Sequence, residues 1–298
     1  MTRQRRFALE ARAAAIAERI VARLPRSAAL GLGRGLGRLW SDLDARHVRI
    51  AADNLRQSFP HWDEARVLRS VREVYAHFGA LLIDLLWLAR RTPAEVVALA
   101  DVVGREHALA AGAGETGALL ISGHFGNWEM GGLVSGHLFG GIGVVARPLD
   151  NPALDARLCA LRALTGNTVI YKQRALQQVL RALHERRSVA ILIDQNLQAG
   201  GVFVDFFGRP ASTTSVAAAL ALKTGACLVP GFAELLPSGR YRMTYARPIR
   251  PEPSGDRRAD VLRLTQRLSA VIEAAVRERP EQWLWLHRRW KTQPGASA

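Results

Sequence analysis

The feature that most constrains this fold is an alternation of short apolar runs and longer helical stretches after residue 100. Five runs of four to six residues read as buried strands, and amphipathic stretches separate several of them. This pattern predicts an α/β fold with a mainly parallel sheet flanked by helices. The predicted strands are 118–122, 142–146, 168–171, 189–194 and 226–230, with a further one at 241–246; the predicted helices are 127–139, 152–164, 175–186, 214–224 and 257–278.

Residues 1 to about 100 instead read as helices. Ile16, Ile20 and Leu24 recur at four-residue spacing in a helix predicted over 8–24, with arginines elsewhere on its surface. The glycine-rich segment 31–37 (GLGRGLG) is predicted to interrupt the helical region, and further helices are expected over 46–58 and 63–88. Such a basic, amphipathic start fits either a solvated helix face or a helix lying in a membrane interface.

The charge of the chain predicts an anionic partner. Its 298 residues hold 41 Lys plus Arg against 26 Asp plus Glu, a formal net charge of +15, and 38 of the 41 are arginine. Charge alone leaves nucleic acid, lipid headgroups and acidic proteins open. No segment reaches the roughly 18 apolar residues of a spanning helix. The two cysteines, Cys159 and Cys227, exclude a disulfide scaffold, and with His137 and His184 they show no metal-ligand spacing.

Residues 112–117 match the G-x-G-x-x-G pattern of dinucleotide-binding proteins. That mechanism needs the glycines after a strand and at the start of a helix, where the helix N-terminus meets a pyrophosphate. Here the glycines follow a helical stretch and precede a strand. They therefore predict a turn.

The segment 122–129 (SGHFGNWE) is the most informative for chemistry. His124 follows a buried strand in a glycine-flanked turn, at the strand end where ligands collect in open α/β sheets. With a turn at Gly126, Glu129 can reach the imidazole, fix its tautomer and leave the other nitrogen as a general base. The alternative is a loop histidine with Glu129 serving the first helical turn. Ser122 as a nucleophile is disfavoured, because ISGHFG is not a G-x-S-x-G elbow.

HFGNWE resembles the H-x4-D/E motif of the glycerolipid and lipid A acyltransferases. Three further blocks are similar to the late, lauroyl/myristoyl branch of lipid A biosynthesis: VVARPLDNP around Arg147, the segment from Asp194 through GGVFVDFFGRPASTT, and PEQWLWLHRRWK at 280–291. Members of that family usually begin with a hydrophobic membrane helix, and this sequence shows none. The resemblance implies a helical, membrane-associating region over 1–100 and an acyltransferase core with a C-terminal helix and Trp/Arg tail over 101–298.

The resemblance also implies a reaction. An acyl chain passes from an acyl carrier protein or coenzyme A thioester, a co-substrate rather than a cofactor, to a hydroxyl of a glycolipid such as a lipid A precursor. His124 is expected to act as base and Glu129 to orient it. Arg147 or the backbone amides of residues 123–127 are expected to stabilise the oxyanion. Substrate-binding residues are expected at Asn127, Arg147, Asp194 and Arg209, and no metal is expected. For Asp194, which ends a predicted strand, a structural role stays open as the alternative, either a bond to the facing loop or a pair with an arginine.

The same resemblance places the protein at the cytoplasmic face of the inner membrane, in lipopolysaccharide biosynthesis. We expect it there as a peripheral protein that high salt releases. Arg288 and Arg289 are expected to contact anionic headgroups, while some of Trp283, Trp285 and Trp290 pack internally. Three alternatives stay open: another acceptor, such as a phosphatidylinositol mannoside or a lysophospholipid; a non-catalytic lipid-binding protein; and a nucleic-acid-binding protein. The sequence shows no recognisable nucleic-acid-binding motif.

Overall fold

A computed structural model, which describes residues 2–171 and 175–295, confirms the α/β fold with a mainly parallel sheet flanked by helices. An N-terminal helical region precedes the sheet. The helices are α1 (Arg3–Val21), α2 (Arg26–Leu43), α3 (Ala45–Ser58), α4 (Glu64–Leu88), α5 (Pro93–Val97), α6 (Arg105–Gly112), α7 (Trp128–Phe139), α8 (Pro152–Ala163), α9 (Ala175–His184), α10 (Val216–Thr224) and α11 (Arg257–Glu278). The strands are β1 (Ala100–Val103), β2 (Leu119–Ser122), β3 (Gly143–Ala146), β4 (Thr168–Tyr171), β5 (Val189–Leu192), β6 (Val202–Phe206), β7 (Arg209–Thr213), β8 (Leu228–Leu235) and β9 (Tyr241–Tyr245).

Within residues 2–171 and 175–295, seven strands form the central sheet in the order β1-β9-β8-β2-β5-β3-β4. All neighbours in this sheet pair in parallel except β8 and β9, which are antiparallel. β2 lies between β8 and β5, and its last residue, Ser122, is in register with Leu192 at the end of β5. The carboxyl ends of β2 and β5 are therefore side by side.

Two strand regions were not predicted from the sequence. β1 alternates half-buried and exposed residues at the sheet edge, so it lacks the continuous apolar run of a buried strand. β6 and β7 form a separate antiparallel hairpin, whose turn places Phe207 and Gly208 at positive φ. The segment 112–117 begins at the last residue of α6 and ends before β2, so it forms the predicted turn.

The prediction that residues 31–37 interrupt the helical region is wrong, because α2 runs through them. A Cβ on Gly33 would lie 2.6 Å from Ala80 Cα, and one on Gly37 would lie 2.0 Å from the Tyr75 carbonyl oxygen. The glycines thus let α2 and α4 pack backbone to backbone. That contact outweighs the roughly 1 kcal/mol by which glycine disfavours a helix interior relative to alanine.

The N-terminal helices share their apolar core with the sheet. Leu119 and Ile121 point to one face of β2 and Leu120 to the other, and each face carries its own cluster of buried side chains. Leu55 of α3 is part of the first cluster and Leu30 of α2 part of the second. Across the described residues, none of the helices combines the length and apolarity needed to cross a membrane.

The C-terminal aromatic residues pack inside the protein. Trp283, Trp285 and Trp290 are all buried in the cluster that contains Ile121. Arg289 is also buried, with only 1% of its surface exposed, and donates hydrogen bonds to the Ser212 carbonyl and the Thr213 hydroxyl. The expected headgroup contact of Arg289 is therefore wrong, because packing of the tail against β7 encloses its guanidinium; Arg288 is exposed.

Candidate active site

Two neighbouring parallel strands bring His124 and Asp194 together. His124 follows the end of β2 by two residues, and Asp194 follows the end of β5 by two residues. The Ile193 amide donates to the Ser122 carbonyl, which continues the pairing of the two strands beyond their ends. The site therefore lies at the carboxyl edge of the sheet, as the sequence predicts.

Asp194 holds the His124 ring with a short, partly buried hydrogen bond. The distance between His124 Nδ1 and Asp194 Oδ1 is 2.7 Å. Asp194 Oδ2 accepts two further bonds, from the His124 backbone amide at 2.6 Å and from Trp283 Nε1 at 2.7 Å. Asp194 is 4% exposed, and these three donors satisfy both of its oxygens.

The contact between His124 and Asp194 shifts the pKa of each residue. Burial lowers the pKa of His124, but the charge of Asp194 and the hydrogen bond to it outweigh burial and raise that pKa above its ordinary value of 6.5. Burial raises the pKa of Asp194, yet the charge of His124 and the donated hydrogen bonds lower it to about 2. Asp194 is thus ionised at neutral pH and favours a proton on Nδ1.

The glycines on either side of His124 and Phe125 are needed for this geometry. A Cβ on Gly123 would lie 2.8 Å from Asp194 Oδ2, so a larger residue would push the carboxylate away. Gly126 has a φ of +57°, and a Cβ there would lie 2.1 Å from the Ala233 carbonyl oxygen. The turn can therefore close tightly on both the carboxylate and β8.

Glu129 does not contact the His124 ring, contrary to the sequence-based expectation. It lies in the first turn of α7, where Arg162 of α8 donates hydrogen bonds to both carboxylate oxygens, at 2.5 and 2.8 Å. Within residues 2–171 and 175–295 no hydrogen bond or ion pair joins Glu129 to His124. Because the ring is turned towards β5, the nearer carboxylate is that of Asp194. Glu129 acts on His124 only through its charge, which raises the histidine pKa.

The free side of the His124 ring faces polar and aromatic groups at the surface. Nε2 lies 3.3 Å from the side-chain nitrogen of Gln195, an exposed residue. The ring packs edge-on against Trp128, with the ring centroids 5.0 Å apart. Trp128 in turn packs against Phe78 of α4, and those two ring centroids are 6.1 Å apart. Nε2 thus lies at the surface, between the side-chain amide of Gln195 and the aromatic ring of Trp128.

The structure does not direct the expected oxyanion donors, Arg147 and the turn amides, at the His124 ring. The amides of His124, Gly126 and Asn127 already donate to Asp194, the Gln282 carbonyl and the Ala233 carbonyl. Arg147 directly follows β3 at the same edge of the sheet, but its side chain is 83% exposed and lies 3.8 Å from Asp150. The three amides of the turn therefore support the fold, and Arg147 lies on the exposed rim.

Asn127 and Arg209 both have structural partners. Asn127 is fully buried and caps α7: its side-chain oxygen accepts from the Met130 amide and its nitrogen donates to Tyr241. The two terminal nitrogens of Arg209 donate to Gln57 and Ser58 of α3, its guanidinium stacks on Trp290 at 3.5 Å, and burial lowers its pKa to about 10. These contacts explain why each residue is needed locally; the substrate roles remain predictions.

Sequence reasoning gave no role to Arg162 or Gln195, and it named Trp283 and Arg289 without their contacts at this site. Gln195 directly follows Asp194, so its place beside the ring follows once β2 and β5 are known to be neighbours. The contacts of Arg162 with Glu129 and of Trp283 with Asp194 join segments 33 and 89 residues apart, for which no local pattern exists. Over the described residues, no group of three or more His, Cys, Asp or Glu is arranged to hold a metal ion.

Comparison with known proteins identifies the family of this chain. The family model for bacterial lipid A biosynthesis acyltransferase matches residues 5–292. The chain is 31% identical over 281 residues to the lipid A biosynthesis lauroyltransferase of Escherichia coli (strain K12), covering 92% of this chain and 89% of that protein. It is 29% identical over 194 residues to the phosphatidylinositol mannoside acyltransferase of Mycolicibacterium smegmatis (strain ATCC 700084 / mc(2)155), covering 64% of this chain and 62% of that protein.

Among solved structures, the 1-acyl-sn-glycerophosphate (LPA) acyltransferase PlsC from Thermotoga maritima aligns with a TM-score of 0.41 and 16% identity, covering 86% of this chain and 99% of that one. The family match extends over nearly the whole chain and includes the His124 turn, β5 and the C-terminal tail. The chain therefore belongs to the bacterial lipid A biosynthesis acyltransferase family and is an acyltransferase.

Proposed function

We propose that the protein transfers a fatty acyl chain from a thioester of acyl carrier protein or coenzyme A to a hydroxyl of a glycolipid such as a lipid A precursor, with His124 as general base. The observation that carries this proposal is the His124–Asp194 pair. Nδ1 is bound to a buried, ionised carboxylate, whereas Nε2 faces the exposed Gln195. A positioned base of this kind contributes on the order of 10²–10⁴-fold to the rate.

The reaction needs no enzyme nucleophile, because a thioester is already activated. The acceptor hydroxyl gives its proton to Nε2 as its oxygen attacks the thioester carbonyl carbon. Asp194 stabilises the imidazolium that forms, since its pKa of about 2 keeps it ionised. The tetrahedral intermediate then collapses, the carbon–sulfur bond breaks, and the departing thiolate takes the proton back from Nε2.

The negative oxygen of that intermediate needs a donor close to Nε2. Gln195 supplies a side-chain donor there, since its amide nitrogen is 3.3 Å from Nε2. The side chain is exposed, so it can turn towards a bound thioester. We assign it to the oxyanion, where a single donor is worth about 10²–10³-fold in rate. Glu129 would then support the site through Arg162 and through its charge rather than by orienting the ring.

The family and the named relatives support a glycolipid acceptor. Arg147 is exposed beside the site edge and has only a loose, exposed ion pair with Asp150. Its guanidinium fork is of the kind that binds phosphate, and would hold the phosphate of a glycolipid or of a phosphopantetheine arm. A phosphatidylinositol mannoside is the second acceptor class, favoured by the relative from Mycolicibacterium smegmatis. Either acceptor is a membrane lipid, so the protein would work at the cytoplasmic face of the inner membrane, where acyl thioesters are available.

The proposal is tested by mass spectrometry of lipids extracted from cells with and without the protein. We expect one lipid class to gain the mass of a single acyl chain when the protein is present, and that class identifies the acceptor. His124→Ala should abolish the gain, whereas His184→Ala, on the exposed end of α9, should leave it unchanged. Full acylation by a folded His124→Ala variant would disprove the mechanism.

A further inference from the structure

The C-terminal segment that follows α11 lies against the turn that carries His124. The Leu284 amide donates to the His124 carbonyl at 3.1 Å, and the Gly126 amide donates to the Gln282 carbonyl at 2.9 Å. Trp283 lies between these two bonds in the chain. The backbone of Trp283 is therefore fixed to the turn that follows β2.

The side chain of Trp283 reaches from this turn to the segment that follows β5. Its indole Nε1 donates to Asp194 Oδ2 at 2.7 Å, and the ring is buried. The backbone of Trp283 is thus attached to the strand end that carries His124, and its side chain to the strand end that carries Asp194. One residue therefore spans the two strand ends whose side chains form the proposed base.

The Trp283 bond also bears on which oxygen of Asp194 faces the imidazole. Oδ2 accepts from two donors, the indole and the His124 amide, and each carboxylate oxygen offers about two lone-pair positions. Oδ1 is left for Nδ1 of His124, at 2.7 Å. Without the indole, the carboxylate loses one of the three donors that fix its rotation, and Oδ2 keeps an unused lone pair inside the protein.

Two other tryptophans of this segment make the same kind of bond to a different kind of acceptor. Trp285 donates to the Pro280 carbonyl at 2.7 Å, and Trp290 donates to the Phe206 carbonyl at 3.2 Å. All three rings lie in one buried cluster, where each indole N–H needs an acceptor. Of the three, Trp283 is the one that donates to an ionised carboxylate, and such a charge-assisted bond is roughly twice as strong as a neutral one.

Other titratable groups face the His124–Asp194 pair from the elements packed around it. They are Glu129 of α7 and, in the segment after α11, His287 and Arg289. Each of them interacts by charge with a member of the pair. Trp283 carries no charge, so replacing it leaves these groups in place and removes a single donor from Oδ2.

We propose that Trp283 is a positioning residue whose indole N–H holds the Asp194 carboxylate against Nδ1 of His124, so that Nε2 is directed to accept a proton. This role rests on the proposed function, because it concerns catalysis only if His124 is the base. The indole also shares the negative charge of the carboxylate, which therefore stabilises the imidazolium less than an unshared carboxylate would. Trp283 thus sets both the direction of the base and its basicity.

Trp283→Phe tests this role, because it keeps an aromatic ring in the core and removes the indole N–H. We expect kcat to fall about 10–10²-fold with little change in KM, since a misdirected base impairs the transition state rather than substrate binding. The midpoint of kcat/KM against pH should move upward by up to about one unit, the equivalent of one ordinary hydrogen bond. The direction follows because the carboxylate, with one donor fewer, raises the pKa of His124 further.

Trp285→Phe is the matched control. It makes the same truncation in the same buried cluster and removes a bond of the same length, but to the Pro280 carbonyl. Its stability in thermal unfolding should fall about as much as that of Trp283→Phe, whereas its pH midpoint should equal that of the unaltered protein. The comparison therefore separates the bond to Asp194 from the packing of the ring.

The indole proton of Trp283 gives a readout that needs no acyl transfer and no variant of Trp283. In nuclear magnetic resonance of the full chain, its Nε1–H signal should lie downfield of those of Trp285 and Trp290, because its acceptor is charged. The signal should also move with pH at the same midpoint as the His124 imidazole, since a proton on the ring draws charge from the shared carboxylate. Asp194→Asn should abolish both effects.

A folded Trp283→Phe whose pH midpoint is unchanged or lower would overturn the proposal. So would an indole signal that does not follow the titration of His124. The absence of acyl transfer from every thioester tested would instead contradict the proposed function, and the indole signal would still show whether Trp283 is coupled to the pair.

Discussion

Nδ1 of His124 lies 2.7 Å from Oδ1 of Asp194, although 70 residues separate the two in the chain. They meet because β2 and β5 are parallel neighbours that end at the same level. Asp194 therefore sets the tautomer of the ring, a role that the local sequence suggests for Glu129. The two carboxylates thus have different tasks, since Asp194 binds the ring and Glu129 binds Arg162.

Replacing the buried carboxylate should damage catalysis more than it damages folding. Asp194→Asn keeps the shape of the side chain but removes the charge that stabilises the imidazolium, so kcat should fall about 10²–10⁴-fold. Steady-state acyl transfer measures the loss, and thermal unfolding shows how much protein remains folded. A variant with unaltered kcat would contradict the assignment of Asp194.

The pH dependence of kcat/KM should report the raised pKa of His124. The base acts only when neutral, so activity should rise with pH through that pKa, and the midpoint should lie above the ordinary 6.5. In Asp194→Asn, burial still lowers the pKa but the opposing charge is gone, so the midpoint of the residual activity should move to lower pH. Glu129→Gln, which removes a weaker influence, should move the midpoint less. Identical midpoints in all three proteins would rule out this electrostatic coupling.

The Glu129–Arg162 pair should contribute mainly to stability. Both side chains are nearly buried, at 8% and 11% exposed, so Glu129→Ala leaves an unpaired guanidinium and should reduce the free energy of unfolding by about 3–5 kcal/mol. Removing Arg162 as well should cost less than the sum of the single changes. Glu185→Ala, which breaks exposed ion pairs, serves as the control and should change stability little. Additive losses in chemical denaturation would show that the two residues are independent.

Two glycines of α2 should respond in opposite directions to the same substitution. Gly37→Ala places a Cβ 2.0 Å from the Tyr75 carbonyl oxygen, forces α2 away from α4 and should lower the free energy of unfolding by about 1–3 kcal/mol. Gly35→Ala meets open space and should raise it by about 0.5–1 kcal/mol, because alanine favours the helix. Thermal or urea unfolding of both variants measures the contrast. Equal shifts would mean that helix propensity, not interhelical packing, decides both positions.

The sequence by itself determined the α/β class, most strand positions and the location of His124 at a strand end. These features are local: apolar runs, helical spacing and glycines next to one histidine are each encoded within a few residues. The helix 257–278 and the strand 168–171 match the structure at both ends for the same reason.

The tertiary structure decided the partners of the functional side chains. Which carboxylate reaches His124 depends on β5 lying beside β2, an order that no local pattern contains. The same holds for Arg162 on Glu129 and for the burial of Arg289. It also holds for α2, since a run of glycines is helical only where another helix approaches closely enough to use them. Contacts between distant segments depend on the packing of the whole chain, so they become visible only once the sheet and its helices are assembled.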